Sequence, residues 1–253
     1  MRGAPIAFRL ATTLAGTRVP PELLSLLRSM NSYYTNRIEG QHTRPHEIDQ
    51  ALRQDFSKDA GLAAKQRLAV AHIEAELALQ QRYCGADGTA AMYSANAMQD
   101  IHRELFGHPP AADLFTPEKE LIAPDALRMR DVQVGQHVAP AHASVPVFLA
   151  RWSAFYGGVC RGEAALVALA CAHQRLGWVH PFVDGNGHVM RLHTHTWLLA
   201  LGYTGWLWSP LRGFARSTER YYALLADADS LRCGSCSRSC GPKQRRIQSI
   251  VDL

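Results

Sequence analysis

The chain has 253 residues, 47% hydrophobic and 19% charged, a composition that excludes a disordered body and leaves length for one large domain. Its formal charge is +5, but Arg232, Arg238, Lys243, Arg245 and Arg246 against Asp252 put most of that in the C-terminal tail. A nearly neutral body offers no basic face to follow a phosphate backbone, so nucleic-acid binding is excluded as the main activity. No apolar run approaches the ~18 residues of a membrane-spanning helix, because His173 ends the stretch from Ala164 to Ala172.

In chain order, Thr12 and Thr13 interrupt the apolar run that a secretory signal would need, so a cytoplasmic protein without a membrane partner is expected. Leu23, Leu24, Leu26 and Leu27 then open an amphipathic helix whose first turn holds Pro20 and Pro21, where a missing amide donor costs little. A longer helix is predicted from Leu62 to Tyr83, ended by the turn signal Gly85-Ala86-Asp87-Gly88, and another from Ala91 to Phe106. The Pro- and charge-rich stretch from Gly107 to Asp125 follows. From Val132 to Val138 apolar and polar residues alternate around Gly135, the pattern of a short hairpin.

Helical patterning resumes at Val145, then runs from Glu163 to Leu176 and from Asn186 to Ala200. After Ser230 the composition turns to Ser, Cys, Arg and Gly without apolar periodicity, the signature of a poorly ordered tail. Cys84, Cys160 and Cys171 stand alone as small hydrophobes. The Cys233, Cys236 and Cys240 cluster lacks a fourth ligand, His193 and His195 face different ways on a helix, and Pro45 interrupts the pair His42 and His46. No structural metal is expected.

The chemistry concentrates in His180-Pro181-Phe182-Val183-Asp184-Gly185-Asn186-Gly187-His188-Val189-Met190-Arg191. Gly185 and Gly187 let backbone approach a ligand, and the free amides of a starting helix form an anion site suited to phosphate. A carboxylate there, Asp184, is most simply a magnesium ligand. His180 is then free to act as a base, kept neutral by the helix end, the ion and Arg191. Arg191, one turn into the helix, can grip a terminal phosphate, while Phe182 anchors the loop.

This string resembles the signature HxFx[D/E]GNGRxxR of the Fic family, with His180, Phe182, Asp184, Gly185, Asn186, Gly187 and Arg191 all at its spacing. The resemblance implies an all-α Fic-type helical core with a small β-hairpin flap, and transfer of AMP from ATP to a Ser, Thr or Tyr hydroxyl of a target protein. It assigns His180 as base, Asp184 to Mg2+, and Gly185, Asn186, Gly187, His188 and Arg191 to the nucleotide. His188 stands where the family has an arginine for the β-phosphate; weaker nucleotide binding, a different donor or a slow enzyme all follow from that change.

Thr35-Asn36-Arg37-Ile38-Glu39-Gly40 is similar to the inhibitory [S/T]xxxE[G/N] motif of some Fic proteins. By that resemblance Glu39 accepts a bidentate pair from Arg191 in place of a γ-phosphate, and Thr35 braces the helix. The hairpin matches the family's flap, which implies that Val132, Val134 and Val138 hold a target segment; a plain surface hairpin is the other reading. Tyr222, in Arg220-Tyr221-Tyr222, either packs in the core or meets the adenine. The division expected is an N-terminal helical region at 1–60, a catalytic core at 61–230 and a basic Cys-containing tail at 231–253. Another donor, removal of AMP, or an impaired nucleotide-binding regulator are the rival functions, and a homo-oligomer is compatible with the sequence.

Overall fold

The structure, a computed structural model, describes residues 19–84, 91–158 and 162–230. The C-terminal tail with its cysteine cluster, the 85–88 turn, Cys160 and the N-terminal threonines lie outside the described residues. Among the described residues the fold is all-α with one small hairpin. Helix α1 (Pro21–Ile38) starts on its proline pair and stops before Gly40, whose φ of +71° ends the helical path. Helix α2 (Pro45–Leu52) is short, and α3 (Ala60–Tyr83) begins where Asp59 accepts from the Leu62 amide at 2.7 Å.

Helix α4 (Ala95–Phe106) begins later than its periodicity suggests, because Ser94 caps it by accepting from the Ala97 amide at 3.0 Å. Strands β1 (Gln133–Val134) and β2 (His137–Val138) pair antiparallel, Val134 opposite His137, and the Ala139 amide donates to the Val132 carbonyl to lengthen the ladder. Helices α5 (Val145–Tyr156), α6 (Gly162–Val179), α7 (Asn186–Ala200), α8 (Pro210–Arg216) and α9 (Thr218–Ser230) follow among the described residues.

Helix α7 is buried on every side, the condition of a helix at the centre of a bundle. It packs against α1, α3, α4, α6 and α8. Trp197 on α7 and Trp152 on α5 are fully buried and meet the Tyr93 ring at centroid distances of 5.9 and 5.2 Å. Truncating either tryptophan removes about 3–5 kcal/mol. The core therefore fixes α7 as a rigid post, and the site hangs on its N-terminal end.

Candidate active site

The loop between α6 and α7 is built by its own side chains. His180 leaves α6 at φ +50°, a left-handed conformation that costs a non-glycine residue about 1–2 kcal/mol. Asn186 closes the loop: its Oδ1 accepts from the Phe182 amide and its Nδ2 donates to the Phe182 carbonyl, both at 2.9 Å. Phe182 is fully buried, as expected of an anchor, and stacks on His102 at 4.1 Å. His102 Nδ1 accepts from the Asp125 amide at 3.0 Å, so its other nitrogen carries the proton and donates to the Asp184 carbonyl at 3.2 Å.

Gly185 is required by its backbone, and Gly187 by nothing but the side chains packed over it. Gly185 sits at φ +76°, and a Cβ there would meet the Phe106 ring at 2.3 Å. At Gly187 a Cβ would lie 2.1 Å from Glu39 Oε1 and 2.9 Å from Arg191 Nη1. The second glycine therefore makes room for the side chains of an ion pair.

That pair joins α1 to α7. Arg191 is buried and donates from Nη2 to Glu39 Oε1 at 2.5 Å and from Nε to Thr35 Oγ1 at 2.8 Å. The contact to Glu39 runs through one nitrogen and one oxygen, which corrects the bidentate expectation: Thr35 takes the Nε that a fork would have used. Burial pushes the Glu39 carboxyl up, but the charge and hydrogen bond of Arg191 outweigh it and hold it below its ordinary value.

His180, Asn186, Gly187, Arg191, Glu39 and Tyr222 line one cavity of about 380 Å³. The hairpin closes part of its mouth through Val134 and His137, while Val132 and Val138 are not among its walls. The Tyr222 hydroxyl donates to the Ile38 carbonyl at 3.4 Å and so spans α9 to the end of α1. His180 is pushed down to about 4, by burial first and then by Arg128 and His137, against a hydrogen bond to Gly177 and the charge of Glu39. Its neutrality matches expectation, but the cause is burial rather than Arg191.

Of the residues expected at the nucleotide, Gly185 and His188 do not line this cavity. His188 is buried beneath α1, where its Nε2 bonds Asn36 Oδ1 at 2.9 Å, and it is held neutral, down to about 3, by burial and Arg191. It borders a neighbouring cavity of about 560 Å³ with Asp184 and Gly185, not the His180 cavity. At position 188 the ring points to α3 and meets the edge of His72 at 6.4 Å between centroids. Asp184 keeps an exposed carboxylate whose Oδ1 accepts the Gly185 amide at 2.6 Å; desolvation, Glu39 and Glu118 raise its carboxyl.

Arg128 escaped the sequence reading. Its buried guanidinium donates from Nε to the His180 carbonyl at 2.7 Å, from Nη1 to Arg130 at 2.7 Å and from Nη2 to Pro140 at 2.5 Å. One side chain thus ties both ends of the hairpin segment to the strained histidine. His137 adds a second tie, its Nε2 bonding the Trp178 carbonyl at 2.8 Å. Neither Arg128 nor the sequence around it carries a local signal of such a role.

A helical bundle in which a glycine-bearing loop, a central helix and a hairpin converge on one neutral histidine defines the class of this protein. Residues 93–198 match the model of the Fic/DOC family. Over those residues the chain carries a Fic domain. Among sequence relatives it is 28% identical over 127 residues to the protein adenylyltransferase Fic of Drosophila mojavensis, covering 49% of this chain and 23% of that protein. With its Drosophila willistoni counterpart it shares 30% over 105 residues, 41% of this chain and 19% of the relative. The matched part thus spans about a fifth of these relatives' length.

The fold resembles a Fic family protein from Desulfovibrio desulfuricans with a TM-score of 0.69 at 17% identity, over 97% of this chain and 71% of that one. A Fic domain containing signaling protein from Bacteroides thetaiotaomicron gives 0.67 at 15% identity, over 97% and 88%.

Proposed function

We propose that this chain is a protein adenylyltransferase that moves AMP from Mg-ATP to a hydroxyl side chain of a target protein, restrained by its own Glu39. The observation that carries the reading is the convergence of His180, Gly187, Arg191 and Glu39 on one cavity. Neutral His180 takes the proton of the hydroxyl as its oxygen bonds the α-phosphorus; the bond from that phosphorus to the bridging oxygen breaks, and pyrophosphate leaves. Base help of this kind is worth about 10²–10⁴ in rate.

Arg191 would grip the far end of the donor, and Gly185 to Gly187 would pass backbone close to its phosphates. The Asp184 carboxylate, crowded by Glu39 and Glu118, suits a cation that needs one carboxylate and phosphate oxygens. Asp184 would hold magnesium, which when bound neutralises phosphate charge. The hairpin edge at Val134 would present the target's backbone to the cavity. With Glu39 on Arg191, the donor's terminal phosphate has lost its partner.

The test uses labelled ATP and magnesium with wild type, Glu39→Gly, and Glu39→Gly combined with His180→Ala, read by intact mass of the chain and candidate targets. Glu39→Gly is expected to raise labelling at least about tenfold, and loss of His180 to lower it about 10²–10⁴-fold. Equal labelling with and without His180 ends this reading.

A further inference from the structure

A second cavity, of about 290 Å³, shares no wall with the first. It lies between α6, α7 and α8, walled by Leu166, Leu169, Leu198, Trp208 and Phe214. His173 and Thr194 are buried at its wall, and their protons are fixed by their partners. The Thr194 hydroxyl donates to the Met190 carbonyl at 2.9 Å, so His173 Nδ1 must donate to Thr194 at 2.7 Å, and His173 Nε2 accepts from the Tyr221 hydroxyl at 2.9 Å. The polar groups of the wall are therefore neutral and already satisfied, and the surface offered to a guest is chiefly apolar.

The mouth is different. Arg212 and Arg216 stand one turn apart on α8, both line the cavity and both are exposed. Among the described residues neither has an ion-pair partner. An apolar chamber leading to two adjacent unpaired guanidinium groups is complementary to a molecule with an apolar body and an anionic planar head.

We propose that this cavity binds a small carboxylic acid, its aliphatic or aromatic body against Leu166, Leu169 and Phe214 and its carboxylate at Arg212 and Arg216. The volume sits at the lower end of small-molecule sites and suits a body on the order of six to ten carbons. A long acyl chain does not fit, and an esterified chain lacks the head that the arginines select. The proposal is independent of the nucleotide chemistry at His180, because the two cavities have no residue in common.

Octanoate and its methyl ester are titrated into the full chain by calorimetry, with thermal melts to confirm folding. Octanoate is expected to bind at one saturable site, and the ester at least about tenfold more weakly. The double variant Arg212→Glu with Arg216→Glu, at two exposed positions, is expected to raise the octanoate Kd about 10- to 100-fold and leave the ester unchanged. Ala170→Leu, which fills the chamber, is expected to abolish both. Absence of saturable octanoate binding to about millimolar levels, equal affinity for acid and ester, or indifference to the arginine changes each overturns the proposal; if Ala170→Leu fails to fold, the arginine pair decides.

Discussion

At the scale of single residues the site depends on close approach. Gly187→Ala drives a Cβ into Glu39 Oε1 and against Arg191 Nη1, so the substitution is expected to destabilise wild type by about 1–3 kcal/mol. In a Glu39→Gly background the worse of the two clashes is gone, and the cost of Gly187→Ala should fall by at least about 1 kcal/mol in a double-mutant cycle of urea unfolding. Additive costs would mean that Glu39 does not occupy the position seen here. Arg128→Lys tests the other support: an ammonium cannot span carbonyls on both sides of the hairpin, and His180 would lose its restraint. Labelling rate should drop about tenfold or more while nucleotide affinity changes little, since Arg128 is not among the walls of the cavity. Because His180 is held down to about 4, a base role also requires that kcat/KM stay flat from about pH 8 to about pH 6, through the ~6.5 of a free imidazole. A limb near 6.5 would exclude this histidine as a buried neutral base.

At the scale of elements, α1 is attached by polar contacts. Asn31 donates to Glu76 at 3.0 Å, Ser32 to the Ala69 carbonyl at 2.8 Å, Thr35 accepts from Arg191 and Asn36 from His188. Hydrogen bonds of this kind contribute about 0.5–1.5 kcal/mol each, less than the apolar burial that fixes α7. Helix α1 should therefore open before the core does, and its amides should exchange faster than those of α7 by mass-resolved hydrogen exchange. Glu39→Gly should speed α1 further without touching α7; parallel exchange of both helices would show that α1 is part of the core. The same polar face explains what sequence could and could not show. Asn186–Ala200 was legible to the residue because Gly185 marks its start, and the hairpin because its alternation brackets a glycine. The seat of α1 was legible only through the motif that gave Thr35 and Glu39, since Asn31, Ser32 and Asn36 read as a solvated face to any rule based on apolar periodicity. His188 misled for the related reason that a motif gives a position along the helix, while the side it faces depends on which neighbour has room.

At the scale of the whole molecule, four histidines serve as neutral core residues. His72, His173, His188 and His193 are buried on α3, α6 and α7, and burial pushes them down to between about 3 and about 4. Neither nitrogen of His72 has a hydrogen-bond partner, so a proton there would have no stabilising acceptor. In the unfolded chain these rings titrate near ~6.5, so between that value and about 4 the unfolded state binds more protons than the folded one. Their contribution is fully present above ~6.5 and is lost as pH falls through that window, at about 1.4 kcal/mol per pH unit for each ring. Going from about pH 7.5 to about pH 5.5, the four together remove at most about 5 kcal/mol, comparable with the whole stability of a typical domain. The carboxylates that stay ionised in the fold, Glu39 and Glu76, are lost only below about 4.5 and do not contribute in this range. Urea unfolding is therefore expected to show a midpoint that falls steeply between these two pH values, and His193→Gln, a neutral isostere of similar reach, should flatten the slope by about one proton. An unchanged midpoint would mean that these rings are already protonated in the fold, and that the centre of the bundle is wetter and more charged than its packing shows.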